Sequence, residues 1–128
     1  MGLDTSHNAW HGSYTGFGEW RKWIAEQIGI KLDAMEGFKP SGKVITWKSL
    51  PHDDLHYLLH HSDCDGSITW NRCGKIAKRL KEVVKKVQKE SKANKTILDE
   101  NEWKLKATKC FTKGCQQAFD LKETLEFN

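Results

Sequence analysis

The chain has 128 residues, enough for one domain with a real core and too few for two. Apolar residues make up 38% and charged residues 30%, a balance that argues against both disorder and membrane residence. The net charge of +4 is informative only where it clusters, and no apolar run approaches the roughly 18–20 residues of a spanning helix. The start lacks the basic residues and apolar stretch of a secretory signal, so the expectation is a cytoplasmic protein with no membrane partner.

Residues 1–13 are polar, dense in Gly, Ser and His, and carry little periodicity. From Thr15 to Ile28, Phe17, Trp20, Ile24 and Ile28 recur at three- and four-residue steps, which predicts a first helix with one buried face. Gly29 stands where a helix C-terminus favours it. A helical turn is expected over Leu32 to Phe38, after which Pro40-Ser41-Gly42 breaks the chain. The β-branched run Lys43-Val44-Ile45-Thr46-Trp47 predicts a strand, and the alternating Thr124-Leu125-Glu126-Phe127 is its nominated partner.

Pro51-His52-Asp53-Asp54 predicts a helix start, with Leu55, Leu58 and Leu59 buried and an end near His60-His61. Thr69 is expected to cap a long helix reaching about Ser91. Its stripe of Cys73, Ile76, Ala77, Leu80, Val83, Val84 and Val87 is the most regular in the chain. A last helix from about Ile97 to Phe119 is expected to bury Trp103, Ala107, Cys110, Phe111, Cys115, Ala118 and Phe119. The fold expected is therefore mainly α. It is a compact single-domain bundle of about four helices over residues 1–128, with an EF-hand-like helix–loop–helix and a short β element pairing 43–47 with 124–127.

The four cysteines, Cys64, Cys73, Cys110 and Cys115, lack the short paired spacing of a zinc site. They read as buried structural thiols. The basic run from Arg72 through Lys75, Lys78, Arg79, Lys81, Lys85 and Lys86 to Lys95 reads either as a solvated helix face or as a patch that attracts phosphates.

Two loops carry chemistry. The first spans Thr5 to Tyr14. Here Trp10 and Tyr14 offer flat faces to a base, His7, His11, Ser and Asn offer donors to phosphate, and Arg21 and Lys22 downstream add charge. The alternative for this segment is an ordered arm whose Trp10 plugs the core. The second is His61-Ser62-Asp63-Cys64-Asp65-Gly66-Ser67-Ile68-Thr69. Asp63, Asp65, Gly66 and Ile68 fall on EF-hand positions three, five, six and eight, whereas His61 at position one and Arg72 at position twelve break the pattern. Calcium is disfavoured there. A transition metal on His61, Asp63 and Asp65, with His60 nearby, is the divalent-metal alternative to no cofactor at all, and beside a basic patch it would imply phosphodiester hydrolysis.

The stretch from Gly2 to Tyr14, the His61–Gly66 loop and the Leu-Glu-Phe ending together resemble a family of small phage and prophage proteins over essentially the full length. Its usual members carry an acidic residue where this chain has Arg72. The resemblance implies an anti-defence protein that sequesters a host nucleotide immune signal, a cyclic ADP-ribose relative or a cyclic dinucleotide. The binding residues expected are His7, Trp10, His11, Tyr14, Arg21 and Lys22. Two alternatives stand beside it: a metal-assisted phosphodiesterase cleaving such a nucleotide, and a protein-interaction inhibitor of a host defence enzyme. Nucleic acid is disfavoured because only Trp70 interleaves the lysine run, and a homo-oligomer is left open.

Overall fold

The first long helix, α1 (Tyr14–Gln27), begins where Ser13 turns its hydroxyl onto the Gly16 N–H at 2.9 Å. It ends in a Schellman turn. Gly29 adopts φ +80°, its N–H donates to Glu26 O, and the Ile30 N–H reaches Ala25 O at 2.9 Å. Between these caps Phe17, Trp20, Trp23 and Ile24 form one buried stripe, close to the boundaries that periodicity predicts.

The computed structural model describes residues 2–36, 38, 42–60, 66–93 and 95–127, with backbone alone at 91, 93 and 95–101. Within them the chain is mainly helical, with two small antiparallel sheets. In chain order, β1 (Gly2–Asp4) pairs with β2 (His11–Ser13), Leu3 facing Gly12. Then come α1, a 3₁₀ turn at Leu32–Ala34, another at Trp47–Ser49, and the short α2 (His56–Leu59). The rest is β3 (Ser67–Ile68), α3 (Trp70–Ala93), α4 (Lys95–Leu121) and β4 (Leu125–Glu126).

The α3–α4 hairpin supplies one wall of the core. Cys73, Ile76, Ala77, Leu80, Val83 and Val87 are all buried, as their spacing predicts. Across from them lie Phe111, Cys115 and Ala118 of α4, α1, and Leu55, Leu58 and Leu59 beside α2. The chain ends close over this core. Thr5 bridges Phe127, the Glu126 N–H donates to Ser6 Oγ, and the Phe127 ring stands 6.0 Å from Phe17.

Three expectations need correction. Residues 124–127 do not pair with 43–47. β4 pairs with β3, Ile68 opposite Leu125, because this register drops Leu125 and Phe127 into the core. Ile45 instead exchanges bonds with Ala34 and Glu36, and its side chain, like Val44, stays exposed. On α4, Trp103 and Phe119 are exposed and Ala107 is only half-buried, since the body of the protein covers a narrower stripe than the apolar pattern spans. Cys110 is exposed too, its thiol bonded to Asn8 O at 3.2 Å, while Cys73 and Cys115 are fully buried as expected.

Candidate functional site

The N-terminal residues singled out by chemistry do not share one surface. Trp10 is buried, its ring 5.1 Å from Phe17 and 5.4 Å from Trp20. Its backbone is fastened to Thr5 by reciprocal bonds, N–H to Thr5 Oγ1 and carbonyl from the Thr5 N–H. Trp10 therefore plugs the core, and its flat face is spent on protein rings. Arg21 is buried as well, 4% exposed, with its guanidinium over Phe17 and Nη1 directed at the carbonyls of Leu58 and Leu59. The carbonyl dipoles and ring face offset part of the desolvation of this cation.

His7 sits at φ +61°, its ring held between Ser6 Oγ and Glu123 Oε1. His11 points to solvent and bonds to Asp4. Tyr14 is half-buried against the core. Lys22 pairs with Asp33 at 3.0 Å, beside a shallow cleft shared with Lys31 and Lys43. The arm is thus a structural clasp with His11 at its exposed edge. His61, Asp63 and Asp65 lie outside the described residues. Among the described ones, no group of three His, Cys, Asp or Glu side chains is placed to hold a metal ion.

A well-formed concavity lies elsewhere, on the outer face of the α3–α4 hairpin. It is a groove of about 810 Å3, within the range of roughly 300–1,000 Å3 usual for small-ligand sites. Lys81 and Lys85 rise from α3, and Lys109 and Lys113 from α4; Val84, Thr112 and Leu121 contribute to its largely apolar lining. Lys81 Nζ donates to Gln116 Oε1 at 3.2 Å, which ties the two rims together. One carboxylate, Asp120, borders the groove and accepts from Gln116 Nε2.

Each helix presents its two lysines four residues apart, an arrangement of like charges that destabilises a helix by about 0.2–0.5 kcal/mol per pair. Among the described residues Lys85, Lys109 and Lys113 have no ion-pair partner. An anion in the groove would relieve both repulsions. Lys81 and Lys85 fall within the basic run legible in the sequence, whereas Lys109 and Lys113 lie outside it. The repeated i, i+4 lysine spacing on the second helix was the signal.

A second cluster surrounds α2. The His56 ring lies 5.1 Å from Trp47 and 6.2 Å from His52, and His60 stands 5.8 Å from Trp47. Burial lowers the His56 pKa, and neighbouring His52 and His60 push the same way against the opposing Asp53. Asp53 is itself held by Arg79 of α3, Nε to Oδ2 at 3.1 Å. This arrangement fastens the 42–60 segment to the hairpin. At the hairpin's buried seam the Cys73 thiol donates to Ile68 O at 3.6 Å; its interaction with the neighbouring Cys115 lowers the Cys73 pKa and, with burial, raises that of Cys115.

Comparison with protein-family models, curated proteins and solved structures gives no match for this chain.

Proposed function

We propose that this protein is a capture protein that holds a phosphate-bearing nucleotide in the α3–α4 groove without transforming it. The observation that carries this reading is the groove itself, whose four lysines face one carboxylate above an apolar lining. Lysine ammonium groups suit phosphate oxygens as mobile point charges, and the lining offers an apolar surface to the rest of a nucleotide. The phage resemblance of the N-terminal and loop motifs supplies the context: withdrawal of a host nucleotide immune signal from its receptor. The binding role expected at His7, Trp10, His11, Tyr14, Arg21 and Lys22 passes in this proposal to Lys81, Lys85, Lys109 and Lys113.

The test is depletion and release. Purified protein is incubated with cyclic ADP-ribose isomers and cyclic dinucleotides, removed by filtration, and heated. Capture predicts loss of one ligand from the filtrate and its intact recovery on heating. Lys85→Glu/Lys113→Glu should lower the captured fraction at least tenfold, because two lysines then face three carboxylates with Asp120 and attraction turns into repulsion. Equal capture by that variant, or recovery of altered products, would refute the proposal.

A further inference from the structure

At the end of the groove nearer the start of α3 the chain exposes an aromatic step. Trp70, in the first turn of α3, is 37% exposed, and Phe119 on α4 is 39% exposed, both high for large aromatic rings. Their centroids lie 5.8 Å apart. The step is built rather than incidental. Phe119 packs against Gly74, where a Cβ would stand 2.8 Å from the ring's Cε2. A glycine inside a helix lowers its stability relative to alanine, and here its absent side chain makes the seat for the ring. Lys122 Nζ sits 5.9 Å from the Trp70 centroid.

The step and the lysine groove belong to one face. Along α3, Trp70, Gly74, Ala77, Lys81, Val84 and Gln88 recur at the three- and four-residue spacing of a single stripe. Asp120 and Leu121, which close the groove, adjoin Phe119 and Lys122 in the chain. At a 1.5 Å rise per residue, Lys81 lies roughly 10 Å from the Gly74 seat and roughly 16 Å from Trp70 along the helix axis.

We infer that Trp70 and Phe119 form the base-stacking platform of the groove, and that the site takes an extended nucleotide whose phosphates reach well beyond its base. This inference rests on the capture reading above and narrows its ligand class to nucleotides that carry a pyrophosphate or a longer phosphate chain, which a cyclic dinucleotide does not. A pyrophosphate- or polyphosphate-bearing nucleotide spans the step and the lysines together; a nucleoside monophosphate engages one of them at a time. It also gives the site the aromatic residue that the buried Trp10 cannot supply. Stacking of a base on an aromatic ring strengthens binding by about tenfold or more per base.

Calorimetry with three probes at low ionic strength tests this: ATP, inorganic tripolyphosphate and AMP. ATP should bind at least tenfold more tightly than either of the others. Trp70→Leu should bring ATP down to the affinity of tripolyphosphate while leaving tripolyphosphate unchanged, and Phe119→Leu should act in the same direction. Circular dichroism confirms that both variants keep the fold. If ATP and tripolyphosphate bind equally and neither variant separates them, the platform is refuted and the lysine groove stands. If no probe binds, the platform is refuted, and the groove reading falls with it only where the filtration assay also shows no capture.

Discussion

Gly114 in α4 is the position where one added methyl group should do the most damage for its size. A Cβ there would stand 2.6 Å from the Ala9 Cα and 2.9 Å from the Ala9 N, besides meeting the Ala9 side chain. These are backbone atoms of the N-terminal arm, which the β1–β2 pairing and the Thr5–Trp10 bonds hold in place. They cannot rotate away as a side chain can. Overpacking of this kind costs about 1–3 kcal/mol, and a fixed backbone places the cost toward the upper end. Alanine's better helix propensity returns roughly 1 kcal/mol. Gly114→Ala should therefore lose about 1–2 kcal/mol net, a fall in melting temperature of about 3–8 °C for a chain of this size. Gly74→Ala is the control. Its Cβ would meet the half-exposed ring of Phe119, which can swing outward, so propensity and displacement roughly cancel and stability should stay within about 1 kcal/mol of the parent. Urea denaturation followed by circular dichroism measures both. A Gly114→Ala variant at least as stable as the parent would refute the claim that the arm is locked against α4.

Trp10→Ala should cost about 3–5 kcal/mol in the same assay, as expected for removing a large core aromatic, and a loss under 1 kcal/mol would contradict its place against Phe17 and Trp20. The His56 pair of states gives a pH dependence. Because its folded pKa lies below the usual 6.5, the unfolded chain holds more protons just under that value, so stability present above pH 6.5 is lost as pH falls toward the folded pKa. Melting temperature should thus decline less steeply below pH 6.5 in His56→Gln than in the parent; parallel slopes would show that burial, with His52 and His60, does not lower the His56 pKa.

Much of the architecture is legible in the sequence where a single period runs long enough. α1 and α3 repeat apolar residues over several turns, and both helices lie within a residue or two of expectation. The arm is not legible for a definite reason. Its strands are three residues long, too short to show alternation, and its turn is made by His7 and Asn8 at φ +61° and +55° rather than by a glycine. The β3–β4 pairing is shorter still, and only burial of Leu125 and Phe127 selects it. On α4 the apolar stripe is broader than the body it packs on, so periodicity places Trp103, Cys110 and Phe119 inside when they are outside. The candidate site misled in a similar way. Indole and imidazole next to Ser and Asn have the composition of a ligand loop, yet Phe17 and Trp20, themselves packed on Phe111, draw Trp10 inward, and no local pattern announces a cluster assembled from positions that distant. The groove needed the two lysine pairs to be read as facing each other, which is a statement about how α3 folds back on α4.

The meeting of Thr5 with Phe127 has a kinetic meaning. The α3–α4 hairpin joins residues near in sequence and closes at little entropic cost, whereas the 5–127 seam closes a loop of nearly the whole described chain. A contact of that span is expected to form after the transition state for folding, once the helices have already condensed. Interactions absent from the transition state govern how fast a molecule opens rather than how fast it forms. The seam of Ser6, His7, Glu123, Glu126 and Phe127 is thus expected to act as a latch on the folded protein, opening first where residues 5–7 part from 123–127.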